Sequence, residues 1–581
     1  MSVSPTLSAK LAAATRAAQA EVAESLHFGD RQDFEDAARC KIADVPAVGV
    51  HTVDGRTVWD LKDTDFLDAD CPDTANPSLW RQGQLNRHAG LFEVTDGVWQ
   101  ARSFDYANMT IVRGDTGWVL IDPLMTQESS AAALKVVNEI LGERPVSAIL
   151  ITHSHADHYG GLRGVYADGV PIYAPAEFME YAASEAIMGG NQMARRAIYQ
   201  FGLGLPSGPT GIVDGGIGLS VAKGTRTFVE PNEFVASTGE QRIIDGVPVI
   251  FQMAHGTEAP SEFTFFLPNH KVLCMAEVIT MTMHNALPPR GAEVRDTRKW
   301  ARVIDEAMTL FGDQTQILIN SHNWPVWGAE KVATFMAEQR DIYKYTHDQT
   351  LRLANLGHTP LEIAAMIDEP DWLSTSFHAR GNYGSLKFNA RAVYQKYYGF
   401  YDGNPVNIAS LAPDEAGALY IEAMGGPEAV LALAQKAMAD DKLQWAATLL
   451  SHLIFAGHAS DQVRQHLALV HRHQGYRQEA SILRNCYLTA AMELENGVKP
   501  RPMVGGRNPE LAATLKLVDW LDAYALRLNP ERARGQDFCL NLKVEGEEAL
   551  IFVARQTEFA RMGTQSDQAL ATLTASKQQL E

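Results

Sequence analysis

Cysteine is scarce in this chain: five occur in 581 residues, scattered at Cys40, Cys71, Cys274, Cys486 and Cys539. No two form a CxxC pair, which excludes a thiolate metal site and a disulfide framework and points to a reducing compartment. No run of about 18 apolar residues is present, so no membrane-spanning helix is expected. The alanine-rich stretch from Met1 to Phe28 is broken by Lys10, Arg16, Glu21 and Glu24 and lacks the apolar core of a secretory signal. A cytoplasmic protein is the expectation. Basic residues are outnumbered, 50 Lys+Arg against 70 Asp+Glu, for a net charge of -20. Such a surface repels nucleic acid and anionic membranes, and neither is an expected partner. It also repels a small anion, but salt screens that beyond ~8 Å and leaves local arginines to decide. Two nucleophile signatures are missing as well, the G-x-S-x-G elbow and a paired catalytic Cys–His. A hydrolase built on this chain would therefore attack with water.

What the chain does have is one dense stretch, Ile149-Leu150-Ile151-Thr152-His153-Ser154-His155-Ala156-Asp157-His158-Tyr159-Gly160-Gly161. An apolar run from Ala148 to Ile151 reads as a short buried strand. Three histidines and an aspartate follow within six residues, and two glycines close the turn. No single helix face or strand face collects all four, but a loop at a strand end can, shared between two adjacent metal ions. His153 and His155 would serve one ion, Asp157 and His158 the other, and imidazole with carboxylate suits zinc.

The H-x-H-x-D-H pattern of His153 to His158 matches the signature of the metallo-β-lactamase superfamily. The wider chain resembles one branch of it, the alkylsulfatases, which hydrolyse sulfate esters of long-chain alcohols. Phrases similar to that branch recur in order: Ala254 to Glu262, Arg290 to Asp296, Ser321 to Pro325, His347 to Arg352, and Asp402 to Pro405. The resemblance implies an α/β (α+β) fold: an αββα sandwich, then an α-helical dimerisation domain and a shortened sterol-carrier-like α+β domain. Four regions are expected: an N-terminal arm over 1–85, the catalytic domain over 86–330, the helical domain over 331–500, and the sterol-carrier-like unit over 501–581.

Within the catalytic region the pattern reads as strands at Leu91–Val94, Val98–Arg102, Met109–Arg113 and Trp118–Ile121, then an amphipathic helix over Gln127–Leu141. Strands resume at Arg242–Phe251, Phe263–Leu267, Lys271–Met275 and Ile317–Asn320. Between them, Phe201 to Gly218 carries seven glycines and reads as a mobile loop overhanging the pocket. Asp122, before Pro123, is either an acceptor for a ligand histidine's other nitrogen or a turn cap. Helices dominate beyond residue 330, where Asp441–Leu449 and Gly475–Leu483 echo each other 34 residues apart, as in tetratricopeptide-like repeats. Pro509–Leu526 reads as one helix, with strands at Phe538–Val544 and Leu550–Ala554.

The resemblance also assigns the remaining groups. Glu258 would complete the first ion with His153 and His155; Glu277 would bridge both; His322 would complete the second with Asp157 and His158. Two Zn2+ per subunit are implied, with hydrolysis of dodecyl-sulfate-type esters to alcohol and inorganic sulfate by metal-bound hydroxide. His284 is the candidate general acid, and Asp157 counts among the catalytic groups as well as the ligands. Asn285, Arg290, Arg295 and Tyr383 are candidate sulfate contacts, guanidinium being suited to an oxyanion. A homodimer is implied. The chain departs from the relatives at Ala286-Leu287-Pro288-Pro289, at Asn323, where a histidine is common, and at Lys387-Phe388-Asn389, where a Ser-His-Asn phrase is usual. Two other functions stay open on the residues: hydrolysis of another anionic ester (a phosphodiester or lactone) on the same metals, and a helical-repeat or lipid-carrier protein whose metal only stabilises the fold.

Overall fold

The structure, a computed structural model, describes residues 4–499 and 508–580, apart from the side chains of residues 184–187 and 578. The expected boundary at 500/501 lies outside the described residues. Two sheets pack face to face. The first holds eight strands: Lys41–Ala43 (β1), Gly90–Thr95 (β2), Val98–Arg102 (β3), Met109–Arg113 (β4), Trp118–Ile121 (β5), Val146–Leu150 (β6), Ile172–Pro175 (β7) and Glu233–Val235 (β8). The second holds six: Gln241–Ile244 (β9), Val247–Met253 (β10), Phe263–Leu267 (β11), Val272–Cys274 (β12), Ile317–Ile319 (β13) and Val326–Trp327 (β14).

Strand β5 shows why these residues make a covered sheet. Trp118 and Leu120 face outward onto the helix Gln127–Leu141, whereas Val119 and Ile121 face inward onto the second sheet. Apolar residues on both faces suit a strand covered on both sides. The second sheet repeats the scheme, with Phe263 and Phe265 inward and Phe266 outward against Trp300 and Ile304 of the helix Thr297–Phe311. Strands β5 and β6 are parallel across one crossover helix, and β12 and β13 across the other. Both crossovers place metal-candidate residues just beyond a strand end.

Three sequence readings change. The segment Arg242–Phe251 is a hairpin, because Asp245 and Gly246 adopt positive φ (45° and 81°), the geometry of a tight hairpin turn. Pro509–Leu526 is two helices, Pro509–Ala513 and Leu517–Ala525. The glycine-rich segment is pinned rather than loose: Arg484 donates to the carbonyls of Gly211 and Pro209, and Ser481 to that of Gly215. Beyond the sandwich, helices from Ala329–Asn355 to Ser481–Asn496 form the second region. The 34-residue echo does not set its register, since Ala446 lies within the helix Leu443–Phe455 while Ala480 is the N-cap of the helix Ser481–Asn496. The helix Pro5–Ser25 packs its Leu11 into this helical core, and Gln19 donates to the Tyr476 carbonyl at 2.7 Å. A four-stranded sheet over residues 538–575 closes the described chain, covered on one face by Leu517 and Leu521. Among the described residues no helix is long and apolar enough to cross a membrane.

Candidate metal centre

Four loops at the ends of strands meet at the sandwich. After β6 come His153, His155, Asp157 and His158; after β10, Glu258; after β12, Glu277; after β13, His322. The structure brings all seven together as two groups: His153, His155, Glu258 and Glu277, and Asp157, His158, Glu277 and His322. Within each group the nearest ligand atoms lie within 4.8 Å of one another. Glu277 belongs to both. Its Oε2 sits 3.1 Å from Nε2 of His153, of His158 and of His322. Ala276, just before it, holds φ at 48°, a conformation costing a side chain about 1 kcal/mol or more and concentrated at functional sites.

Hydrogen bonds to the far nitrogen orient each of these rings. His158 Nδ1 lies 3.0 Å from Asp122 Oδ2, His153 Nδ1 2.9 Å from Thr152 Oγ1, and His322 Nδ1 3.2 Å from the Tyr106 carbonyl. Such partners select the tautomer whose Nε2 lone pair points inward. Of the two readings of Asp122, the structure bears out the acceptor. Its φ of 55° turns the carboxylate back toward Thr152, His158 and Ser321, and aspartate is among the residues that tolerate that region.

The electrostatics follow from burial set against charge. Burial pushes the Glu277 carboxyl up, but the imidazoles of His322, His153, His158 and His284 around it outweigh that and hold the group well below the usual range. Glu258 behaves likewise: burial raises it, the Arg295 guanidinium lowers it further, and the result is about 2. His158 is pushed down by burial and up, more strongly, by Asp157 and Asp122, ending well above the ordinary imidazole value. A pocket that pulls a proton onto a buried imidazole attracts a divalent cation by the same field. Three buried donors, His153 Nε2, His322 Nε2 and Glu258 Oε2, have no hydrogen-bond partner, a cost of about 1–3 kcal/mol each that a cation would remove. The donor set of imidazole and carboxylate fits zinc.

Beside this pocket lie the other candidates. His284 Nε2 is 3.0 Å from Glu277 Oε1. Arg295 Nη1 lies 3.0 Å from His284 Nδ1 and donates to Asn285 Oδ1 at 2.8 Å, and its Nη2 pairs with Glu258. Nδ1 of His284 also lies 3.1 Å from the Asn285 carbonyl, so it meets one group that can only donate and one that can only accept: it is bare when it accepts from Arg295 and carries hydrogen when it donates to Asn285. Asn285 Nδ2 is buried without a partner, a donor still to be used. The Tyr383 ring packs edge-on to His284 with centroids 4.8 Å apart. It joins Tyr106, Ile217 and Ile482 in an apolar cluster flanked by Phe201. Arg290 is placed differently. Its N–H donates to Gln200 Oε1 at 2.9 Å and its Nη1 to the Gly291 carbonyl at 3.0 Å, and it is not among the side chains that touch His284. Sequence reasoning missed Tyr106, which acts through its carbonyl, and Thr152, Tyr343 and Asn389, whose side chains bond to a ligand ring or to the main chain beside His284.

The chain matches two family models, one described as metallo-beta-lactamase superfamily over residues 102–322 and one as alkyl sulfatase dimerisation over residues 359–497. It is 44% identical over 539 residues to an (R)-specific secondary-alkylsulfatase of Pseudomonas sp., covering 91% of this chain and 81% of that protein. A linear primary-alkylsulfatase of Pseudomonas sp. is 40% identical over 537 residues, covering 91% and 80%. Among solved structures, the stereoselective inverting sec-alkylsulfatase Pisa1 from Pseudomonas sp. superposes with a TM-score of 0.93 at 42% identity, over 98% of this chain and 91% of that one.

Proposed function

Because the chain belongs to the alkylsulfatases of the metallo-β-lactamase superfamily, we propose that it hydrolyses alkyl sulfate esters of dodecyl sulfate type to alcohol and inorganic sulfate with two zinc ions per subunit. His153, His155 and Glu258 would hold one ion, Asp157, His158 and His322 the other, and Glu277 both. Bound there, the pair would acidify water and so supply the nucleophile near neutral pH. The observation that carries the reading is Glu277: one buried carboxylate oxygen equidistant from three imidazole nitrogens, its other oxygen facing His284.

The rest falls to the chain's own groups. As the general acid, His284 gives its Nε2 proton to the leaving oxygen from the form that carries hydrogen on both nitrogens, with Nδ1–H donated to the Asn285 carbonyl 3.1 Å away, and returns to a neutral imidazole. Asn285 Nδ2 is the second donor for the sulfate, and Arg295 contributes positive charge from beneath. Arg290, anchored through Gln200, is assigned to the mouth of the site rather than its floor. The cluster of Tyr106, Phe201, Ile217, Tyr383 and Ile482 is the seat for the hydrocarbon chain, each buried methylene adding about 0.8 kcal/mol. The unpaired state of all five cysteines supports a cytoplasmic location, and the dimerisation match supports a homodimer. The sheet over residues 538–575 is read as a shortened sterol-carrier-like unit.

Hydrolysis of dodecyl sulfate, of a phosphodiester and of a lactone, each with and without a chelator, tests this. Chelator-sensitive release of sulfate from dodecyl sulfate alone is the expected result. Turnover of the phosphodiester or lactone in its place would overturn the substrate assignment, and no turnover of any of them would overturn the enzyme's proposed reaction.

A further inference from the structure

The segment carrying His284 is held from outside the metal sandwich. Asn389, in the helix Leu386–Tyr398, brackets it with both ends of its carboxamide: Nδ2 donates to the His284 carbonyl at 2.9 Å, and Oδ1 accepts from the Ala286 N–H at 2.8 Å. A carboxamide offers a donor and an acceptor at fixed spacing, so it pairs with the main chain around Asn285 as a neighbouring strand would. Asn389 is 1% exposed, which leaves no water to take its place. The same stretch is gripped on either side. Met283 N–H donates to the Arg380 carbonyl at 2.9 Å, Gly384 N–H to the Met283 carbonyl at 2.7 Å, and His284 N–H to the Tyr343 hydroxyl at 3.3 Å. A Cβ on Gly384 would lie 2.4 Å from the His284 oxygen, so the contact requires glycine. Beyond Ala286, Pro288 and Pro289 have no N–H to give. The anchoring therefore falls on Ala286 and, further on, on Arg290. Arg380, Gly384 and Asn389 all lie in the helical region matched over residues 359–497.

We propose that Asn389 is a positioning residue for sulfate-ester hydrolysis, acting through His284 by fixing the main chain on either side of Asn285 so that the imidazole Nε2 and the Asn285 amide face the sulfate together. The helical region then does more than join subunits: it completes the catalytic pocket. This rests on His284 being the proton donor, as assigned under the proposed function.

The test is a double-mutant cycle in the full-length, zinc-loaded protein, with kcat, KM, zinc per chain and Tm measured for each variant on dodecyl sulfate. Asn389→Ala is expected to lower kcat ~30–100-fold, a misplacement effect, with KM changed by less than ~2-fold and zinc content unchanged. In a His284→Ala background the same substitution should cost less than ~5-fold, because the imidazole it positions is gone and only the placement of Asn285 remains to be lost. Asn389→Leu, which keeps the volume filled, should reproduce the loss of kcat if the alanine variant folds poorly. Equal losses in both backgrounds, or full kcat in Asn389→Leu, would overturn the positioning role while leaving His284 as donor. Parental kcat in His284→Ala alone would overturn the assignment of His284, and with it the route through Asn389.

Discussion

Asp122 uses two oxygens to hold four groups. Oδ1 accepts from Thr152 N–H, and Oδ2 from the Thr152 and Ser321 hydroxyls and from His158 Nδ1. Thr152 in turn meets His153 Nδ1, and Ser321 precedes His322, so one carboxylate steers rings in both halves of the centre. Asp122→Ala is expected to weaken zinc affinity about 10–100-fold with the fold retained, read by chelator competition and circular dichroism. Of the seven inward-facing side chains, the four from His153 to His158 could be named from one loop because ligand chemistry restricts residue type, and Glu258, Glu277 and His322 through the resemblance to the alkylsulfatases. What holds them was harder to find. The Tyr106 carbonyl that orients His322 is a main-chain atom, which any residue could supply. The difference between Arg290 and Arg295 was equally hidden, because two arginines five apart look alike until the Arg295 guanidinium is seen to pair with Glu258 while Arg290 is held at its main-chain N–H by Gln200.

At the scale of elements, β5 and the crossover helix Gln127–Leu141 were legible because burial on both faces leaves a short unbroken apolar run and a covering helix a period near 3.6. The hairpin at Asp245–Gly246 was also written in the chain, but the apolar run across it masked the turn. Contacts among elements far apart in sequence were not legible. Asp33, in the helix Gln32–Ala38, bonds Arg81 of the helix Pro77–Asn86 at 2.8 Å within the N-terminal arm and His378 of the turn Phe377–Ala379 at 2.9 Å, tying that arm to the helical region. Burial raises the Asp33 carboxyl, but His378 and Arg81 outweigh it and hold it well below the usual range. Burial lowers His378, and Asp33 outweighs that too, so its imidazole is raised. The carboxylate's contribution to stability is present above the unfolded value near 3.9 and lost as pH falls through its folded one. The imidazole's is full below about 6.5 and lost as pH rises through its raised folded value. The Tm difference between the parent and His378→Ala should therefore be largest near pH 5–6.5 and narrow toward pH 9. A difference that grows with pH would show that His378 is neutral in the fold.

The whole molecule joins two regions at one pocket. The sandwich contributes the metal-candidate loops and His284, while the helical region contributes Tyr383, the Asn389 clamp and the Arg484 anchor of the glycine-rich segment. Neither region alone has the pocket, which is why repeat spacing or sheet pattern taken separately could describe the parts without their junction. The account depends on Glu277 standing between two cations, and the direct measurement is metal stoichiometry by native mass spectrometry of the purified chain. Two divalent ions per chain in the parent, falling to one or none in Glu277→Ala with the fold unchanged, is the result predicted. A parent that takes up a single ion when zinc is supplied in excess, or a Glu277→Ala variant that still binds two, would contradict it.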